Sequence, residues 1–331
     1  MIKIIIFGTG AVAVEVNQLL DESKAEIVAY TSNDQNLWGK EFNLKSIIAP
    51  NEIKNYEYDY IVIASSYNSE IIEQLNSMNV NNKKIVDFYG DFEGNSWLRK
   101  INIGKDNSKN RDLWIRKVLS RIEDGARILD AGAGEQQYKK YCKHLDYVSQ
   151  DFAQYDGKGN NHGMQMDAWD YGKLDIICDI VNIPEEDASF DAIMCTEVFE
   201  HLPNPILAIK EFSRLLKRGG KLILTAPFCS LTHFAPFHYY TGFNKYFYEY
   251  YFDKYKFKII DMDKNGNYFE YIAQELRRLP NICKEYSNYN YSLEDFKDVS
   301  RVIEILDSIN KENNNSEEIL CHGYHILAEK V

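Results

Sequence analysis

The chain has 331 residues, and its 38 basic against 50 acidic side chains leave a formal net charge of −12 and a pI near 5.2. That length exceeds the usual single-domain size, so two domains with separate cores are expected. The acidic balance argues against a nucleic-acid backbone as the main partner, because such binding is driven by Lys and Arg neutralising phosphates, and small or neutral substrates fit better.

Residues 2–7 read as a fully buried strand, and Gly8-Thr9-Gly10-Ala11-Val12-Ala13 opens a helix that carries Val14, Val16, Leu19 and Leu20 inward. This is a strand-turn-helix nucleotide fingerprint, Gly8, Gly10 and Ala13, with alanine at the third glycine position. The next strand, residues 25–30, runs into Thr31-Ser32-Asn33-Asp34, which displaces the acid that would hold an NAD ribose. An NAD(P)-dependent oxidoreductase using this turn is therefore the alternative reading. Strands at 46–48, 59–65 and 84–87 and a helix at 69–78 complete a Rossmann-like domain over residues 1–92. The apolar N-terminus is too short for a signal peptide, and no run approaches the roughly 20 residues of a membrane helix. Six cysteines without a Cys-x-x-Cys pair read as reduced core thiols, so a soluble cytoplasmic protein is expected. A linker is placed at 93–110, and an amphipathic helix with Leu113, Trp114, Val118, Leu119 and Ile122 leads into a second domain, residues 111–331.

The second domain is organised around Arg127-Ile128-Leu129-Asp130-Ala131-Gly132-Ala133-Gly134, which reads as a buried parallel strand turning through two glycines into a helix, with amides pointing into the turn. A second short strand ends on Asp151, about the offset at which a doubly wound sheet offers a carboxylate to a ribose diol. Downstream come Ile177-Cys178-Asp179-Ile180-Val181, then Cys195-Thr196-Glu197-Val198-Phe199-Glu200-His201, then Gly219-Gly220-Lys221-Leu222-Ile223-Leu224-Thr225-Ala226-Pro227. Gly219-Gly220 reads as the turn before a strand. In this order these motifs resemble the class I S-adenosylmethionine-dependent methyltransferases, specifically the group acting on small molecules, over about residues 111–262.

That resemblance implies an α/β chain with a seven-stranded methyltransferase sheet. It also implies S-adenosylmethionine as cofactor, with Asp130, Ala131, Gly132, Ala133 and Gly134 lining its methionine end. The turn amides would take the cofactor carboxylate, and Asp130 its amino group. Asp151 would accept from both ribose hydroxyls and Phe152 would cover the adenine. Asp179 would accept from the adenine amino group with Ile180 or Val181 flanking the ring, or be a solvent-facing loop acid. Thr196 and Glu197 would face the sulfonium. Glu200 and His201 occur in relatives as structural hydrogen-bonding residues, which leaves His201 a lesser candidate for a general base. The N-terminal domain resembles those attached to bacterial enzymes of surface-sugar and nucleotide-sugar metabolism, on Phe7-Gly8-Thr9-Gly10 and residues 58–65. It implies a small-molecule acceptor such as a nucleotide-linked or surface-glycan sugar. A domain that only mediates homo-oligomer contacts is the bland reading.

The acceptor wall is expected in the irregular segment 227–243, where His233 or His238 could deprotonate an acceptor or simply bond the loop backbone. In the run 246–252, Phe247, Tyr250 and Tyr251, with Phe243, are expected on one buried helical face. A strand at 259–260, helices near 269–278 and 293–309, a solvated run at 310–317 and an antiparallel strand at 319–329 finish the chain. Cys321, His322 and His325 hint at a metal, but on a strand His322 and His325 point to opposite faces, so no metal site is expected. A subunit that binds cofactor without turnover is the remaining alternative.

Overall fold

The isoleucine-rich start of the chain is buried on both sides, and its side chains alternate between two cores as a strand requires. Ile4 and Ile6 pack with Ala13 and Val16 on one face, and Ile5 and Phe7 with Ile71 and Leu75 on the other. In the computed structural model, which describes residues 1–65, 67–88, 97, 101–166 and 168–331, this strand is β1 (Ile2–Phe7). There follow α1 (Ala11–Leu19), β2 (Ala25–Thr31), β3 (Glu41–Phe42), β4 (Lys45–Ile48), β5 (Tyr60–Ile63), α2 (Asn68–Ser77) and β6 (Ile85–Asp87). The sheet order is β3-β4-β2-β1-β5-β6, parallel except for the β3/β4 pair. Part of the expected linker, residues 93–96 and 98–100, lies outside the described residues.

The second sheet is built from the same alternation. Leu129 and Ala131 face one core with Ile193 and Cys195, while Ile128 faces the other with Ala192, Met194 and Trp114. Its elements are α3 (Asn107–Leu119), β7 (Arg127–Ala131), β8 (Asp146–Asp151), β9 (Ile176–Ile177), β10 (Phe190–Thr196), α4 (Pro205–Leu215), β11 (Leu216–Pro227), α5 (Lys245–Lys254) and β12 (Phe257–Asn265). Then come α6 (Tyr268–Tyr286), α7 (Leu293–Asn310) and β13 (Gly323–Lys330). The order is β12-β13-β11-β10-β7-β8-β9, with β13 antiparallel to both neighbours and the other pairs parallel. The chain leaves β7 toward β8 and β9, and leaves β10 toward β11. The β7/β10 boundary is therefore the switch point, whose carboxyl ends open the crevice where such sheets bind ligands.

The chain divides into two compact units, Met1–Ile103 with Glu275–Lys311, and Gly104–Gln274 with Glu312–Val331. Residues 275–311, expected with the second domain, cluster with the first because α7 packs on α1.

Three local expectations are corrected. No α-helix follows the glycine turn: Gly132, Gly134 and Gln136 all have left-handed φ, which interrupts helical bonding, and only a 3-10 turn forms at Lys139–Tyr141. Gly219 and Gly220 lie inside β11, at an irregularity of register with β10. In α5 the Asn244 side chain accepts from the Tyr246 and Phe247 amides, and the phase this sets buries Tyr248 and Phe252; of the expected face Phe243 is buried and Phe247 and Tyr251 are half-buried against the same core, whereas Tyr250 is exposed.

Candidate active site

Asp130 is the penultimate residue of β7, with its carboxylate buried on the face that carries Ile128. The Tyr147 hydroxyl donates to its Oδ2 at 2.6 Å. Burial pushes its pKa up to about 7, the tyrosine bond opposes this, and the neighbouring Asp151 charge adds to it. Gly132 turns the chain at φ +78°, and a Cβ there would come within 2.5 Å of Val198 Cγ2, so the turn is pressed against the segment that follows β10.

The amides of this turn are not directed at a ligand. Gly132 and Ala133 both donate to the Gln150 carbonyl at 2.9 Å, and Gly134 donates to Asp151 Oδ2 at 2.9 Å. That corrects the expectation that these three amides take a cofactor carboxylate. Asp151, at the end of β8, also accepts from the Ala153 amide through Oδ1 at 3.0 Å, and burial raises its pKa. Each of its oxygens keeps a further lone pair. Phe152 is half-buried with its ring edge-on to Phe237 at 5.0 Å.

The remaining expected cofactor residues divide. Asp179 is exposed after β9, and its Oδ1 accepts from the Val181 amide at 3.2 Å, a local turn. Ile180 is buried in the core with Leu129 and Ala131, so it is packing and not a ring flank. Thr196 is half-buried beside Thr225. Glu197, at φ 54°, is engaged through both oxygens: Thr225 Oγ1 donates to Oε1 at 2.8 Å, and Arg111 Nη1 lies 2.9 Å from Oε2. The Glu197 charge holds the Arg111 guanidinium above its ordinary pKa.

His201, His233 and His238 come together, with ring centroids 4.7 to 5.9 Å apart. His201 Nδ1 donates to the Phe237 carbonyl at 2.6 Å, His233 Nδ1 to the Leu231 carbonyl at 2.8 Å, and His238 Nε2 sits 3.2 Å from Ser230 Oγ. Burial, with the other two imidazoles adding, depresses His201 to about 3, which makes it too weak a base for neutral-pH catalysis. Burial also lowers His238. Glu200 beside them is fully buried, and burial with the Glu197 charge drives its pKa well above the usual range.

Beyond Phe152, the sequence gives no role to the long segment between β8 and β9. Tyr155 stacks on Phe234 at 4.6 Å, Trp169 lies edge-on to Phe234 at 5.2 Å, and Phe234 stacks on His201 at 5.2 Å. A Cβ on Gly134 would meet Trp169 Cζ2 at 2.9 Å. The aromatic chain therefore runs from the glycine turn to the histidines. Its signal is an aromatic-bearing insertion between an acid-ended strand and the next, which names no contact.

In the first unit, Gly8 has φ +129° and a Cβ there would meet the Ala64 carbonyl at 2.4 Å, so this position requires glycine. Gly10 caps α1 with open space beside it, and Ala13 is buried against the sheet. Asp34 is not a ribose acid here: its Oδ1 accepts from the Asn36 amide at 2.9 Å and caps a 3-10 turn. His322 and His325 are both buried but separate, the first against Tyr271 and the second against Trp114.

The second sheet, with its order and single antiparallel strand, has the class I methyltransferase fold. Residues 129–224 match the family model described as a methyltransferase domain. Residues 1–86 match the family described as C2185-like, N-terminal. The ubiquinone biosynthesis O-methyltransferase of Xanthomonas oryzae pv. oryzae is 34% identical over 112 residues, 33% of this chain and 46% of that protein. The "Probable tRNA methyltransferase 9B" of Homo sapiens is 27% identical over 157 residues, 46% of this chain and 29% of that protein. The chain thus spans less than half the length of these relatives. A S-adenosylmethionine-dependent methyltransferase from Archaeoglobus fulgidus superposes with a TM-score of 0.42 at 16% identity, covering 67% of this chain and 94% of that one. Among the described residues, no helix is long and apolar enough to cross a membrane.

Proposed function

We propose that the whole chain transfers a methyl group from S-adenosylmethionine to a small-molecule acceptor of the nucleotide-linked or surface-glycan sugar class. The observation that carries this reading is the convergence of Asp130, the left-handed Gly132 and Asp151 at the β7/β10 switch point of a methyltransferase-domain sheet. Asp151 accepts from the ribose diol with the lone pairs its backbone partners leave. Asp130 supplies the negative charge for the cofactor's ammonium, and Phe152 covers the adenine.

Methyl transfer is an in-line displacement at an activated carbon, so alignment and water exclusion do most of the work. Trp169, Tyr155 and Phe234 supply an apolar wall for that purpose. An acceptor that must lose a proton would give it to His233 or His238, since His201 is too weakly basic. The acceptor class rests on the resemblance of residues 1–92 and on the Gly8 turn, and the net charge of −12 speaks against tRNA.

The test is transfer of radiolabelled methyl from S-adenosylmethionine to a panel of nucleotide-sugars, free sugars and tRNA. Label in a nucleotide-sugar supports the reading. Label in tRNA alone would replace the acceptor class.

A further inference from the structure

We propose that Glu200, His201 and His233 form a site for one divalent first-row transition-metal ion of the zinc class. It lies beside the switch-point crevice and deepens the methyl-transfer reading, on which only the ion's role depends. One ligand atom from each of these residues lies within 4.8 Å of the others. The Nε2 atoms of His201 and His233 stand 3.8 and 3.9 Å from Glu200 Oε1. Those separations are too long for hydrogen bonds, and they suit atoms that would close on an ion with bonds of about 2.0–2.2 Å.

The rings are oriented from behind. His201 Nδ1 donates to the Phe237 carbonyl and His233 Nδ1 to the Leu231 carbonyl, which turns each Nε2 toward Glu200. A ring nitrogen bonded to a backbone carbonyl is how ligating histidines are held. Phe234 stacks on His201, and the Glu200 carbonyl accepts from the Tyr239 and Tyr240 amides, so neither side of the site is loose.

A second observation is independent of this spacing. Glu200 is 1% exposed, yet its Oε2 has no hydrogen-bond partner among the described residues. The guanidinium of Arg111, at the crevice, is paired with Glu197. A buried carboxylate oxygen without a partner is costly unless a cation accompanies the group.

Two imidazole nitrogens and one carboxylate oxygen favour zinc, cobalt, iron or nickel over magnesium or calcium. Three protein ligands leave a position open, as in catalytic sites. With His233 held by the ion, an acceptor hydroxyl there would lose its proton to His238 or to solvent, and its oxygen would bond the methyl carbon as the carbon–sulfur bond breaks with its electrons remaining on sulfur. The acceptor atom would then be oxygen.

The full-length protein, stripped with a chelator, is titrated with Co2+ and followed by its visible d–d absorption. One saturable equivalent displaced by Zn2+ is expected, weakened about tenfold or more in His201→Gln and in His233→Gln, both checked for wild-type circular dichroism. X-ray absorption on the zinc-loaded wild-type protein, which needs no variant, should show two imidazole ligands. An absent saturable band, or binding unchanged in both variants, overturns the site. Calorimetric binding of S-adenosylmethionine by the metal-free protein separates the two ideas. Cofactor binding without Co2+ binding sinks only the metal site, and the converse sinks only the methyl-transfer reading.

Discussion

The buried Asp130 makes cofactor binding a proton-linked event. With its pKa near 7 in the free protein, Asp130 is about one-tenth ionised at pH 6 and about nine-tenths at pH 8. The ammonium of S-adenosylmethionine favours the carboxylate, so affinity should rise about tenfold between those pH values, or about 1.4 kcal/mol. Binding should release close to one proton at pH 6 and very little at pH 8. Calorimetry in two buffers of different ionisation heat reads both quantities. Tyr147→Phe removes the bond that favours the carboxylate, so it should move the dependence to higher pH, while Asp130→Asn should flatten it. An affinity that is constant from pH 6 to 8, with no proton released, would refute the placement of Asp130 beside the cofactor.

Gly132→Ala puts a Cβ 2.5 Å from Val198 at a left-handed φ and should destabilise the protein by roughly 1–3 kcal/mol; thermal melts should show partial recovery with Val198→Ala. Arg111→Leu strands Glu197 Oε2 and should cost about 1–3 kcal/mol, discounted for its partial exposure; adding Glu197→Gln should return part of it in a double-mutant cycle. Stability against pH carries two opposed contributions. The raised Asp130 contributes stability that is present below about pH 4 and lost toward pH 7, whereas the depressed His201 contributes stability that is present above about pH 6.5 and lost toward pH 3. Denaturant melts of Asp130→Asn should therefore gain on the wild type as pH rises from 4 to 7, and equal slopes would contradict this.

Much of the framework was legible because it is periodic. The continuous apolar run of residues 2–7 and the alternating run of 127–131 place β1 and β7, and the spacing from Asp130 to Asp151 places the two acids at neighbouring strand ends. What escaped is contact between residues far apart in the chain. Nothing local says that Trp169 covers Gly134, or that Glu200 lies beside His233. Ile180 follows an acid in a cofactor-like motif, yet the turn it occupies points it into the core. The helix expected after Gly134 failed for a local reason, the left-handed φ of Gln136, which its residue type does not announce. Residues 275–311 were misassigned because an amphipathic helix does not name the surface it covers, here α1.

The central claim, that the second unit binds S-adenosylmethionine at Asp130 and Asp151, is tested most directly by titrating the full-length protein and its Asp151→Ala variant with S-adenosylhomocysteine in a calorimeter. The account predicts one equivalent bound by the wild type and a loss of more than about 1 kcal/mol in the variant, as for hydrogen bonds to a charged group. An unchanged affinity in Asp151→Ala, or no binding to the wild type, would contradict it.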